Sequence, residues 1–120
     1  MDRTPYRQND MSKTLSLTVA GICTDLEAVS VSITHACRLP SGPYRICGLV
    51  QRAERVLLQL VPAGSAAPET YRFVEAFDGS EDDLISMLSE RWTAGFDCRG
   101  SVAAGDGLLL LLFARPEGGA

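Results

Sequence analysis

The chain has one histidine, four cysteines with no Cys-x-x-Cys pair, and fewer basic than acidic residues. Each scarcity removes a class of activity. His35 stands beside no serine or cysteine in a recognised nucleophile motif, and Cys37, two residues on, projects from a different side of a helix, so no catalytic residue is assigned. His35-x-Cys37 is also the one His/Cys cluster. A zinc site needs four ligands, or three and an open position, so no metal is expected. Cys23, Cys37, Cys47 and Cys98 lie far apart, which reads as reduced, mostly buried thiols. The net charge of −4 opposes long-range attraction to phosphate backbones and anionic lipid. Nucleic acid is therefore not an expected partner, and Arg45, Arg52 and Arg55 around the first hairpin read as a solvated edge. The longest apolar run, residues 108–114, is too short to cross a bilayer, so no membrane association is expected. Residues 1–13 are polar and lack the apolar stretch of a signal peptide, which places the protein in the cytoplasm. Gly105-Asp106-Gly107 lacks the lysine and following helix of a phosphate loop and reads as a turn. No cofactor is implied.

What the chain does contain is an internal echo. A shift of 52 places sets Gly48, Val50, Leu57, Leu58 and Leu60 on Gly100, Val102, Leu109, Leu110 and Leu112. Each half closes alike, in Leu60-Val61-Pro62 and in Leu112-Phe113-Ala114-Arg115-Pro116. At 120 residues and 46% hydrophobic, the chain suits one domain, which buries about two thirds of the surface its unfolded form exposes. The expected organisation is a disordered segment 1–13, with Met11 as a candidate start. A single domain 14–116 follows, made of module one (14–62) and module two (70–116) with a linker 63–69. Residues 117–120 form a tail.

In module one, Leu15, Leu17 and Val19 alternate with Ser16, Thr18 and Ala20, the period of a half-buried strand that Gly21 ends. Thr24 or Asp25 then caps a helix with Leu26, Val29, Ile33 and Cys37 on one face. Residues 29–34 are β-branched or hydroxyl-bearing and favour a helix poorly, so the helix rests on the repeat. Residues 39–43 break the chain, and residues 44–50 and 56–61 form a hairpin. In module two, Tyr71, Phe73 and Phe77 mark a strand. Ser80 with Glu81, Asp82 and Asp83 opens a helix, with Leu84, Met87, Leu88 and Trp92 as its apolar stripe. Gly95 closes it, and residues 96–102 and 108–113 form a second hairpin. The expected fold is α+β: two tandem βαββ modules about a pseudo-twofold axis, giving an antiparallel or mixed six-stranded sheet with two helices on one face. Residues 108–113 have no polar alternation, so that strand is central or covered on both faces.

Two features point to a ligand. By parity, Glu75 lies on the same side of its strand as Tyr71 and Phe73, where a carboxylate would be partly buried. Tyr71, Phe73 and Trp92 belong to an aromatic group in the second half only, which could line a pocket. Tyr71, Phe73, Glu75 and Trp92 are therefore the candidate ligand-binding residues.

Leu84-x-x-x-Leu88, Ala94-Gly95-Phe96, Gly105-Asp106-Gly107 and the apolar run ending at Arg115 resemble a small bacterial domain-of-unknown-function family. Its pattern is a strand, a helix, a Glu-Gly-Trp turn and a hairpin whose last strand ends in a basic residue; here Ala94 and Phe96 replace the Glu and Trp. That resemblance implies a fold and no activity. The duplicated plan is also similar to small-molecule-binding domains of the gyrase-inhibitor type, which hold ligands between two such modules and often carry a buried glutamate, for which Glu75 is the matching candidate. The functional expectation is a non-catalytic protein that acts by self-association, as a homodimer, or by binding a protein partner. The alternative is a small-molecule-binding module with a cleft between its halves.

Overall fold

The computed structural model describes residues 13–38, 43–64, 67–77, 80–105 and 107–117. The elements run β1 (Lys13–Thr18), α1 (Val19–Thr24), α2 (Leu26–Ala36), β2 (Tyr44–Arg52), β3 (Arg55–Pro62), β4 (Glu69–Phe77), α3 (Glu81–Thr93), β5 (Asp97–Gly105) and β6 (Leu108–Pro116). The fold is α+β, with six strands paired antiparallel throughout. They form two three-stranded sheets, in the orders β1-β3-β2 and β4-β6-β5, where one six-stranded sheet was expected. No helix among the described residues is long and apolar enough to cross a membrane.

The apolar run in β6 explains the layering. Leu110, Leu112 and Ala114 point into a cluster shared with Leu58, Leu60, Ile46 and Val56 of the first sheet and with Ile22 and Ile33 of the helices. Leu111 and Phe113 point the other way, into a second cluster closed by Leu84, Met87 and Leu88 of α3. β6 is thus central in its sheet and buried on both faces, as its lack of polar alternation demands. Each fully buried leucine contributes roughly 1.5–3 kcal/mol by leaving water, so neither face of β6 can be left open cheaply. For the same reason the two long helices do not share one face. α2 belongs with the first cluster and α3 covers the opposite side of the second sheet.

There are three helices among the described residues, not two. The strand expected to run to Ala20 stops at Thr18, whose hydroxyl accepts from the Gly21 N–H (3.0 Å) and caps α1. A side chain at position 21 would meet that hydroxyl at 2.9 Å, so Gly21 lets the cap close rather than ending a strand. Asp25 caps α2 through the Ala28 N–H (3.1 Å). Ser80 caps α3 through the Asp83 N–H (3.0 Å), and Gly95 ends it at φ 93°, both as the sequence indicates. The expectations for residues 1–12, 39–42, 65–66, 78–79, 106 and 118–120 lie outside the described residues.

Three of the four sheet edges are visibly handled. β2 and β5 approach side by side, and the Gln51 side-chain amide bridges them: its Oε1 accepts from the Ala103 N–H (2.8 Å) and its Nε2 donates to the Ala103 carbonyl (2.9 Å). Gly100 permits the approach, because a Cβ there would lie 2.9 Å from Cβ of Leu49. The β4 edge is covered by α2. The Tyr71 N–H donates to Thr34 Oγ1 and the Phe73 N–H to Ser30 Oγ, both at 2.9 Å. Arg38 donates to the Glu69 carbonyl (3.2 Å). Ser30, Thr34 and Arg38 recur every four residues, about 6 Å along a helix, against alternate residues of β4, about 6.7 Å apart. That near-match of repeats lets a helix serve as the missing strand.

One turn residue is strained. Ala53, in the two-residue turn joining β2 to β3, sits at φ 53°, a region that costs an L-residue roughly 1–2 kcal/mol. Glycine avoids that cost but loses about 0.5–1 kcal/mol more backbone entropy on folding. Ala53→Gly is therefore expected to raise stability by about 0.5–1 kcal/mol, read as a higher urea midpoint at unchanged slope.

Candidate functional site

The polar centre of the molecule lies where β2, β4 and β5 meet. A bulge between Cys98 and Gly100 on β5 re-aims Arg99 inward. Its guanidinium grips Glu69 with two bonds (Nη1 to Oε1, 3.0 Å; Nη2 to Oε2, 2.8 Å). It also donates to Asp97 Oδ2 (2.9 Å) and to the Ile46 carbonyl (2.6 Å). The Tyr71 hydroxyl donates to Glu69 Oε1 and accepts from the Ile46 N–H, both at 2.8 Å. The Arg99 and Glu69 side chains are only 11% and 14% exposed.

Electrostatics follow from this geometry. Burial pushes the Glu69 carboxyl up, but the bonds from Arg99 and Tyr71 and the charges of Arg99 and Arg45 outweigh it and hold the group below its ordinary value. Burial opposes the charge on Arg99, yet the bonds to Glu69 and Asp97 raise it further. Burial, then the neighbouring carboxylate, pushes the Tyr71 hydroxyl up. Burial and the charge of Glu69 push the Cys37 thiol to about 11. The cluster ties the second sheet to the first, because both Arg99 and Tyr71 bond the Ile46 backbone of β2. Arg45 Nε is buried without a hydrogen-bond partner.

Tyr71 and Phe73 are buried, as their strand parity indicates. Glu75 is exposed. α2, which covers the levels of Phe73 and Tyr71 with Ser30 and Thr34, begins at Leu26, one turn further on, so its cover runs out at the level of Glu75. Trp92 is 69% exposed on α3, and not core. Of the four candidate residues, Tyr71 and Phe73 line one groove beside α2, and Glu75 and Trp92 are not among its lining residues. The carboxylate that matters is Glu69, read from sequence as the last residue of a linker. Its signal was available, since Glu69 shares the parity of Tyr71 and Phe73.

A groove of about 740 Å³ lies between α2 and β4, lined by Glu27, Val31, Thr34, His35, Arg38 and Arg72 among others. Its arginine Arg38 is already engaged by Glu117 (3.1 Å). Among the described residues no three His, Cys, Asp or Glu side chains cluster to hold a metal. Cys23, Cys37, Cys47 and Cys98 are all free thiols, but only Cys37 is buried; the other three are exposed, where mostly buried thiols are expected from the sequence. The outer surface of α3 differs in kind. The helix has no buried residue, and Ile85 and Trp92, two turns apart, are 53% and 69% exposed. No family model, curated protein or solved structure matches this chain.

Proposed function

We propose that the protein is a non-catalytic module of duplicated βαββ origin that acts through self-association or protein–protein contact. The carrying observation is α3: a helix that seals one face of the second sheet with Leu84, Met87 and Leu88 while turning Ile85 and Trp92 to solvent. Large apolar side chains aligned on an exposed helix face are the usual anchors of an interface. The polar groups give no competing site, because the Glu69–Arg99 cluster is spent internally. A duplicated origin is supported by two features. Both sheets have the order first-third-second. Both hairpins bulge just before the paired glycines Gly48 and Gly100. The added helix α1 then reads as a departure in the first copy.

The groove between α2 and β4 favours a second reading, a small-molecule site between the halves, because it is walled by one element from each. One measurement separates the two. Under the first reading, light scattering across a dilution series gives a mass that falls toward the monomer on dilution, and Tm rises with protein concentration. Ile85→Ser with Trp92→Ala should abolish both trends while changing monomer stability by less than about 0.5 kcal/mol, as expected of exposed positions. A mass fixed at one chain, with Tm raised by a metabolite instead, would turn the assignment to the groove.

A further inference from the structure

Resting on the self-association reading, we infer that the partner is a second copy of this chain, docked through α3 in antiparallel register about a twofold axis near Leu88 and Ser89. Glu81, Ile85 and Trp92 are spaced four and seven residues apart, which puts them on one narrow seam of the helix beside the sheet-facing Leu88, the spacing by which helices pack at shallow angles. Ile85 and Trp92 are symmetric about the midpoint of that seam. An antiparallel copy therefore sets Ile85 against the partner's Trp92 twice, and a parallel copy does not.

Charge selects the same direction. The first turn of α3 carries Glu81, Asp82 and Asp83. Beyond its last turn, Arg115 lies over the Phe96 ring at 5.3 Å, and Arg91 lies over the Phe96 and Phe113 rings at 5.8 and 5.7 Å. Among the described residues none of these five charges is ion-paired within the chain. In that register Glu81 of one copy falls just past Thr93, the last helical residue of the other, at the end where Arg91 and Arg115 lie over the Phe96 ring. The acidic end of each helix thus meets the basic end of its partner, two complementary contacts per dimer. Glu90, beside Arg91, falls on the side of the helix away from the seam. Ser89, at the axis, is small enough for the backbones to approach.

The test uses the full chain and two charge reversals, Glu81→Lys and Arg115→Glu. Each alone places like charges at both contacts, so each should dimerise about tenfold or more weakly than the unaltered chain at low salt. Mixed together, they form a heterodimer in which lysine meets glutamate at one contact and glutamate meets arginine at the other, so the mixture should recover the dimer mass. Salt near 1 M, where the Debye length is about 3 Å, should erase the difference. As a second measurement that spares the charges, Ser89→Cys with Cys23, Cys47 and Cys98 replaced by serine should cross-link to itself through a short bismaleimide. If the unaltered chain dimerises but mixing restores nothing and position 89 does not cross-link, the α3 pairing is overturned and self-association stands. A chain that is monomeric at every concentration overturns both.

Discussion

Glu69→Ala is expected to cost about 3–5 kcal/mol, the loss seen when one member of a buried ion pair is removed and the other is left unpaired. A chain of this length is held by roughly 6–18 kcal/mol, so that loss is a large share of the whole. Arg99 would keep Asp97 and the Ile46 carbonyl. It would lose both bonds to Glu69, and Tyr71 would lose the acceptor for its hydroxyl. The effect is one of uncompensated charge more than of lost attraction. A Glu69→Leu, Arg99→Met pair should therefore be far less harmful than either change alone. Urea unfolding of the two single variants and the double closes the cycle; additive losses would mean that the cluster does not act as a unit. The pH dependence has a definite sign. The folded-state value of Glu69 lies below the ordinary 4.5, so its contribution is complete above about 4.5 and disappears as pH falls through the lower folded value. The Glu69→Gln variant should lack that part of the acid slope.

Removing the two hydroxyls that cover the β4 edge, in Ser30→Ala with Thr34→Val, is expected to destabilise by about 2–6 kcal/mol. Each change leaves a backbone N–H without its acceptor, of Phe73 in a buried bond or of Tyr71 in a part-buried one, at roughly 1–3 kcal/mol apiece. Helix propensity argues the opposite sign, since alanine is the better helix former by a few tenths of a kcal/mol. The competition is decided by magnitude: desolvating a peptide group outweighs a propensity gain several-fold. Ser32→Ala supplies the control. Ser32 is exposed on the same helix and makes no edge contact, so there propensity should win and stability rise slightly. Guanidinium midpoints of the double variant and of the control read the result; a double variant as stable as the parent would show that the edge is satisfied some other way. The same double variant should aggregate more readily, because an uncovered strand edge is a template for intermolecular pairing.

This second case also explains a conflict within the chain. Residues 29–34 look wrong for a helix when judged by propensity, because hydroxyl and β-branched side chains favour other conformations. Their purpose is visible only against β4, where Ser30 and Thr34 accept from its free amides. The site divides similarly. Tyr71 and Phe73 were legible as inward residues from parity alone. Glu75 shares that parity but lies past the cover of α2, and Trp92 completes a helical stripe yet sits where that stripe has turned outward. Glu69 was hidden by its neighbours, whose polar, proline-bearing composition reads as a linker.

By itself the sequence determined what depends on nearest neighbours along the chain. Hydroxyl and carboxylate caps open α2 and α3, glycine ends α3, turns place the hairpins, and an apolar run with no alternation requires β6 to be buried on both sides. These rest on periodicity and on backbone chemistry within a few residues. Only the tertiary structure decided where the edges of the sheets go, why six strands divide into two sets of three, and which carboxylate faces Arg99. Those outcomes turn on polar groups separated by thirty or more residues, such as Glu69 and Arg99 or Ser30 and Phe73. Burial makes each such group find a partner, and no local pattern says which one.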